Sequence, residues 1–291
     1  MKVLVKKVNG FTDSIDGGNP AGVLLDSPRL TNRQMAYISK FLKVSETAFV
    51  FSSEKADFKV RFFTPKIEVD LCGHGTIATF FTMALEGKLP KDKNIIVRQE
   101  TKAGILPVDI EFSNDGEIKR VMMTQGKPVL KDIYLDISKI ADSLNISIEE
   151  IDDSLPKQAV STGLFTLPIC IKSFDTLKSI KPDFEKIKKL CNKLNVGSFH
   201  LFTFETIEPR SVYHARNFCP VYAVNEDPTT GTANGAVCSY LLKNKIIQEN
   251  NLVCEQGDII GRPGRVYVEI NGDVVKVGGR AKIVQEKEIL L

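Results

Sequence analysis

Four side chains in this sequence stand where they could carry a proton: Glu46 in KVSETAFVF, Cys72 and His74 in EVDLCGHGT, and Asp227 in NEDPTTGTANG. In residues 68–76 a cysteine and one of the chain's three histidines sit against two glycines, and the next residues, IATFFTMAL, are nearly all apolar. Small residues at the start of a buried helix leave its first N–H groups uncovered, at the positive end of the helix dipole. CGHGT and TGTANG therefore read as two anion cradles, built to hold a carboxylate. Chemistry at the neighbouring carbon then follows, because enolate-like charge developing there is stabilised by the same donors. Each motif alone has a plainer reading, with Gly as helix-start punctuation, Cys72 as core filler and Glu46 as a solvated strand start.

The two cradles belong to a repeat. RFFTPKIEVDLCGHGTIATFFTMAL (61–85) and RNFCPVYAVNEDPTTGTANGAVCSYLL (216–242) both read Arg-x-Phe-x-Pro, then an acidic residue, then a Gly that opens an apolar segment. Glu68 precedes Gly73 by five residues as Glu226 precedes Gly231, and the glycines lie 158 positions apart (231 − 73), about half the chain. A duplicated unit of strand, Pro-bounded turn and helix explains this economically. Both helices are apolar on almost every side, the pattern of a helix surrounded by structure. The fold expected is α+β, with two pseudo-symmetric domains, each a mostly antiparallel, barrel-like sheet around a central helix.

Alternation predicts strands at 2–8, 21–25, 47–51, 57–63 and 95–99 with a helix at 31–42, and in the second half strands near 105–112, 118–124, 158–162, 167–172, 199–205, 211–216, 265–270 and 273–278. Helices fit at 136–143, 147–150, 183–194 and 232–243. The crossing between halves is expected within 114–128, giving domains 1–118 and 119–279 with a last strand, 280–291, returning to the first.

With 43% hydrophobic and 26% charged residues, disorder and fibrous classes are excluded, and 39 basic against 36 acidic residues form no basic stripe of the kind nucleic acid needs. The lysine-rich stretch 181–194 carries apolar residues at helical spacing and reads as the wet face of a helix. No apolar run reaches the roughly 18 to 20 residues needed to span a bilayer, and the N-terminus lacks signal-peptide character, so a cytoplasmic protein is expected. Six cysteines without a CxxC pair and three scattered histidines show no zinc-ligand spacing, so no metal site is expected.

GGNPAGV, SETAFV, FTPKIEVDLCGHGT and NEDPTTGTANG, in this order along nearly the whole chain, resemble the phenazine-biosynthesis-like isomerases (the PhzF family), whose fold is shared with diaminopimelate epimerase. The resemblance implies a cofactor-free homodimer with its active site between the two domains. It implies that Glu46 is the acid/base that moves a proton within a small carboxylate-bearing substrate, and that His74 and Asp227 orient the substrate and stabilise charge. Thr232 stands where the family commonly has Ser, which keeps the hydroxyl and adds a methyl. Gly73, Gly75 and Gly231 would supply backbone donors, with Cys72, Thr76 and Ala233 also contacting substrate and Asn19 on the rim. Desolvation would raise the Glu46 pKa and keep it protonated near neutrality. A rival is the two-cysteine racemase of the diaminopimelate epimerase relatives, but the repeat counterpart of Cys72 is Thr230, which cannot serve as a base. A cleft that binds a small acid without turning it over is the third reading.

Overall fold

The computed structural model describes residues 1–91, 93–134 and 136–291. They divide into two compact units, Met1–Thr124 with Gly278–Leu291 (unit 1) and Gln125–Val277 (unit 2). Unit 1 begins with β1 (Lys2–Gly10), β2 (Asn19–Leu24), α1 (Asn32–Leu42), β3 (Glu46–Phe51), β4 (Phe58–Phe63), β5 (Glu68–Val69), α2 (Gly73–Leu85), β6 (Ile95–Thr101), β7 (Gly104–Phe112) and β8 (Ile118–Thr124). Unit 2 follows with β9 (Val129–Asp132), α3 (Ile137–Leu144), β10 (Gln158–Ser161), β11 (Phe165–Cys170), α4 (Phe174–Ser179), α5 (Phe184–Leu194), β12 (Ser198–Thr203), β13 (Tyr213–Cys219), β14 (Val224–Asp227), α6 (Gly231–Lys243), β15 (Asn251–Gln256) and β16 (Gly264–Asn271). After β17 (Val274–Gly279) the chain returns to unit 1 as β18 (Ala281–Leu290).

The strand pairings demonstrate the duplication. In unit 1, β1 runs antiparallel to β18 and β2, β2 parallel to β3, β3 antiparallel to β4, β4 parallel to β6 and antiparallel to β5, and β6 antiparallel to β7. Unit 2 repeats the scheme with β10 between β9 and β11, β11 parallel to β12, β12 antiparallel to β13, β13 parallel to β15 and antiparallel to β14, and β15 antiparallel to β16. The unit boundary follows β8 instead of preceding it, because β8 is the antiparallel partner of β7. The predicted helix at 147–150 is a single 3-10 turn, Ile148–Glu150. Helix α4 and strand β15, which are not among the elements expected from sequence, are ordered.

Helix α2 lies against β1, β2, β3, β8 and β18, and α6 against β10, β11 and β16. Every residue from Gly75 to Ala84 is buried, which is why α2 has apolar side chains around its whole circumference. The three threonines among them return their hydroxyls to carbonyls four residues back, Thr76 to Cys72 at 2.9 Å, Thr79 to Gly75 at 2.7 Å and Thr82 to Ala78 at 2.7 Å, so no buried donor is left over at these positions. Helix α1 starts with a capping box between Thr31 and Gln34 and ends at Lys43 in the left-handed region (φ 53°), which delivers the chain to β3.

The Arg-x-Phe-x-Pro and acidic signature of the repeat is an ion-pair fork. Arg61 donates two hydrogen bonds to Glu68 (2.8 and 2.7 Å), and Arg216 makes the same pair with Glu226 (2.9 and 2.9 Å). Each guanidinium also lies over the Phe two residues on, 5.1 Å from the Phe63 ring and 4.8 Å from Phe218. The forks tie β4 to β5 and β13 to β14, and so fix the turn from which each central helix starts.

The two forks differ in depth. Arg216 is 7% exposed and also donates to the carbonyls of Leu177 and Ile180, both at 3.1 Å, whereas Arg61 is 25% exposed. Arg216→Ala should therefore cost unit 2 about 3–5 kcal/mol, the scale for breaking a buried pair, and Arg61→Ala about 1 kcal/mol. Equal losses in urea denaturation would refute this ranking. Glu255 supplies an acid-sensitive contact: buried, it accepts from the N–H groups of Ile207 (2.9 Å) and Glu208 (2.6 Å) and pairs with His214 Nδ1 (2.9 Å). Burial works to raise its pKa, but those partners outweigh it and hold the carboxyl down at about 2. An unfolded chain titrates this group near 4.5, so its stabilisation is complete above that pH and drains away as pH falls toward 2. Glu255→Gln should flatten the acid limb of the Tm profile, and an unchanged limb would show that the group carries no such linkage.

Candidate active site

Cys72 is the N-cap of α2, its Sγ accepting from Gly75 N at 3.3 Å while its carbonyl takes the Thr76 N–H and hydroxyl, both at 2.9 Å. Gly75 is required here, because a Cβ would stand 3.0 Å from the Cys72 sulfur and 3.2 Å from the Phe62 ring. Gly73 differs. A Cβ there would meet only Met123 Sδ at 3.7 Å, so glycine leaves an uncovered approach to the half-buried helix start. From the β1 side, Gly10 lets the chain pass beside His74, since a Cβ on it would lie 3.0 Å from the His74 carbonyl oxygen.

Glu46 opens β3 in parallel register with Ala21 of β2, and this brings its carboxylate to His74. His74 Nε2 lies 3.2 Å from Glu46 Oε2 and 3.4 Å from Ser45 Oγ, with the His74 and Glu46 side chains 14% and 22% exposed. Glu46 Oε2 is shut off from solvent and has no aligned hydrogen-bond donor, so its contact with His74 is Coulombic and a lone pair is left free. Cys72 Sγ is 3.6 Å from both imidazole nitrogens. A sulfur equidistant from the two lies on the N–H axis of neither, so the thiol rests against the ring and is not aligned with a base.

The electrostatics reverse the expected protonation of Glu46. Burial does push its pKa up, but the contact with His74 and its charge, together with Ser45 and Cys72, outweigh burial and bring the carboxyl below its usual value. Burial likewise works against the His74 imidazolium, yet Cys72 and Glu46 raise its pKa well above the usual 6.5. The Cys72 thiol is pushed up, by burial first and by the Glu46 charge against the pull of His74, and is therefore protonated at neutral pH. The resting state is a Glu46 carboxylate beside a His74 imidazolium, and Glu46 is the standing anion that keeps the ring charged.

In unit 2, Asp227 accepts the Thr230 hydroxyl, and Gln256 binds the same turn by accepting from Thr230 N (3.1 Å) and Asn234 Nδ2 (2.8 Å) and donating to the Asp227 carbonyl (2.8 Å). Gly231 and Ala233 are buried and Thr232 is half-buried, its methyl carbon 3.6 Å from where a Cβ on Gly163 would stand.

Glu46, Cys72 and His74 are brought together in unit 1, whereas Asp227, Gly231, Thr232 and Ala233 form a cluster within unit 2. Asn19 is buried at 4% exposure within β2, opposite Gly10. Thr76 is fully buried, with its hydroxyl donating to the Cys72 carbonyl at 2.9 Å. Sequence reasoning passed over Ser45, although it sits in the SET motif beside Glu46, and Gln256, for which nothing in the sequence gave a signal. His200 and His214 are buried in unit 2, and burial pushes the His200 imidazole down to about 4, which keeps it neutral.

The family profile described as phenazine biosynthesis-like protein matches residues 8–287. The uncharacterized isomerase YfhB of Bacillus subtilis (strain 168) is 38% identical over 280 residues, covering 96% of this chain and 93% of its own length. An uncharacterized isomerase of Clostridium acetobutylicum is 36% identical over 298 residues, covering 98% and 97%. The crystal structure of the Bacillus anthracis phenazine biosynthesis protein of the PhzF family superposes with a TM-score of 0.91 at 34% identity, over 100% of both chains. A hydroxyproline epimerase from Agrobacterium vitis shares the fold alone, with a TM-score of 0.64 at 12% identity over 99% of this chain and 91% of its own. The chain belongs to the phenazine biosynthesis-like (PhzF) family and is an isomerase of that family.

Proposed function

We propose that this isomerase works without a cofactor, moving a proton within a small carboxylic acid through Glu46. The observation that carries the reading is the buried Glu46 Oε2, ionised beside His74 and without an aligned donor, near the start of a helix whose half-buried first residue, Gly73, carries no side chain. Glu46 Oε2 takes a proton from a carbon of the substrate, and the C–H electron pair moves into the adjoining π system as enolate-like charge. The His74 imidazolium and the N–H groups at the α2 N-terminus stabilise that charge. The protonated Glu46 then returns the proton to a different carbon or face, which restores the resting ion pair. A homodimer is the expected assembly.

A thiol-dependent racemase is disfavoured by the same geometry. Cys72 is a protonated N-cap lying against an imidazole, and its counterpart in the repeat is Thr230, whose hydroxyl is bound to Asp227.

Two measurements test the assignment. In heavy water, with a panel of small amino, hydroxy and conjugated cyclic acids followed by NMR, the wild-type chain should place deuterium in a substrate, and Glu46→Gln should lower that rate by about 10²–10⁴-fold. Uptake unaffected by the substitution would refute the role of Glu46. Independently of any substrate, the His74 Cε1–H resonance should titrate well above the ordinary range in the wild type and at clearly lower pH in Glu46→Gln. Because the Glu46 pKa is lowered and that of His74 raised, the active ion pair spans a broad window between them, and a His74 titration unmoved by Glu46→Gln would break that link.

A further inference from the structure

We propose that Glu46, Cys72 and His74 also form a binding site for a thiophilic divalent cation, zinc above all, which takes the place of the protons these groups carry. Among the described residues this is the one cluster of three such donors, and one ligand atom from each lies within 4.8 Å of the others. A carboxylate oxygen, an imidazole nitrogen and a thiolate are the donor types of protein zinc sites. The spacing fits as well. With zinc bonds of about 2.3 Å to sulfur and about 2.0–2.2 Å to nitrogen and oxygen, the edges of a tetrahedron are about 3.6 Å from sulfur to nitrogen and about 3.4 Å from nitrogen to oxygen. The corresponding separations are 3.6 Å from Cys72 Sγ to His74 Nε2 and 3.2 Å from His74 Nε2 to Glu46 Oε2.

Two further features suit a metal. Glu46 Oε2 is buried and no donor is aligned on it, so its lone pair is free to coordinate. The Gly75 N–H donates to Cys72 Sγ at 3.3 Å, which supports negative charge on that sulfur once its proton is gone. On binding, Cys72 releases its thiol proton and His74 one of its two N–H protons to solvent, and no oxidation state changes. Two anions and a neutral imidazole then balance a divalent ion, and the His74 ring turns about Cβ–Cγ to bring a nitrogen lone pair onto it. Three protein ligands leave a fourth position for water or for the carboxylate of a small acid. Binding stands on this geometry alone. Its consequence, that zinc blocks the proton carrier, rests on the isomerase reading above.

The test uses the full chain without a histidine tag, reduced with a phosphine, titrated with zinc by calorimetry and with cobalt(II) by absorption, and with no organic substrate present. One zinc per chain at micromolar concentration, and a thiolate-to-cobalt charge-transfer band, are the expected results. Cys72→Ala should abolish that band, and both Cys72→Ala and the near-isosteric Glu46→Gln should weaken zinc binding by at least about tenfold. No uptake up to millimolar zinc, a cobalt spectrum without the sulfur band, or full affinity in either variant would overturn the proposal. Circular dichroism of each variant guards against loss of fold. Since turnover is not measured, failure here leaves the proton-transfer reading standing, and failure of deuterium exchange leaves metal binding standing.

Discussion

A helix enclosed by sheet on every side can offer only its ends to a ligand, and this constraint governs how both units are built. The ten consecutive buried residues of α2, Gly75–Ala84, leave no flank for chemistry. What remains is the N-terminal turn, at the positive end of the dipole. The requirement for small residues there follows directly. Gly75 is forced by the Cys72 sulfur and the Phe62 ring, while Gly73 keeps the approach open. The Arg–Glu forks then serve a modest but necessary purpose, because they fix the turn that delivers each helix start.

Duplication supplied two such helix starts, and divergence gave them different charges. Register makes the correspondence explicit: Glu46 stands opposite Ala21 where β2 meets β3, and Ser198 stands opposite Thr166 where β11 meets β12. Unit 1 thus has a carboxylate at the first residue of its strand, and unit 2 a buried hydroxyl that bonds to Thr166 Oγ1 at 2.7 Å. The N-caps differ in the same sense, a thiol at 72 and a hydroxyl at 230. The carboxylate, imidazole and thiol cluster lies in one copy, while the other keeps Asp227 engaged with Thr230.

The sequence disclosed what is local or repeated. The all-round apolar helices and the five-residue spacing from Glu68 to Gly73 and from Glu226 to Gly231 were readable because each reflects a contact within one supersecondary unit. Strand β15, NLVCEQ, was not, because polar residues interrupt its pattern and its place is set by distant partners, β13 and β16. The same limit explains the sign error at Glu46. Desolvation can be guessed from an apolar neighbourhood, but the imidazole 3.2 Å away comes from a residue 28 positions on (74 − 46), and its charge decides the outcome. The burial of Asn19 and Thr76 is likewise a matter of packing that no motif reports.

The strand that closes unit 1 follows all of unit 2 in the chain. Strand β18 pairs with β1 from Lys2↔Leu290 to Gly10↔Ala281 and lies against α2, yet the ribosome reaches it only after all of unit 2. Vectorial synthesis therefore lets unit 2 complete its sheet first, and the unit that houses Glu46 and His74 waits, one strand short, until β18 emerges. Ordering of the Glu46–His74 pair is in this way coupled to synthesis of the whole of unit 2.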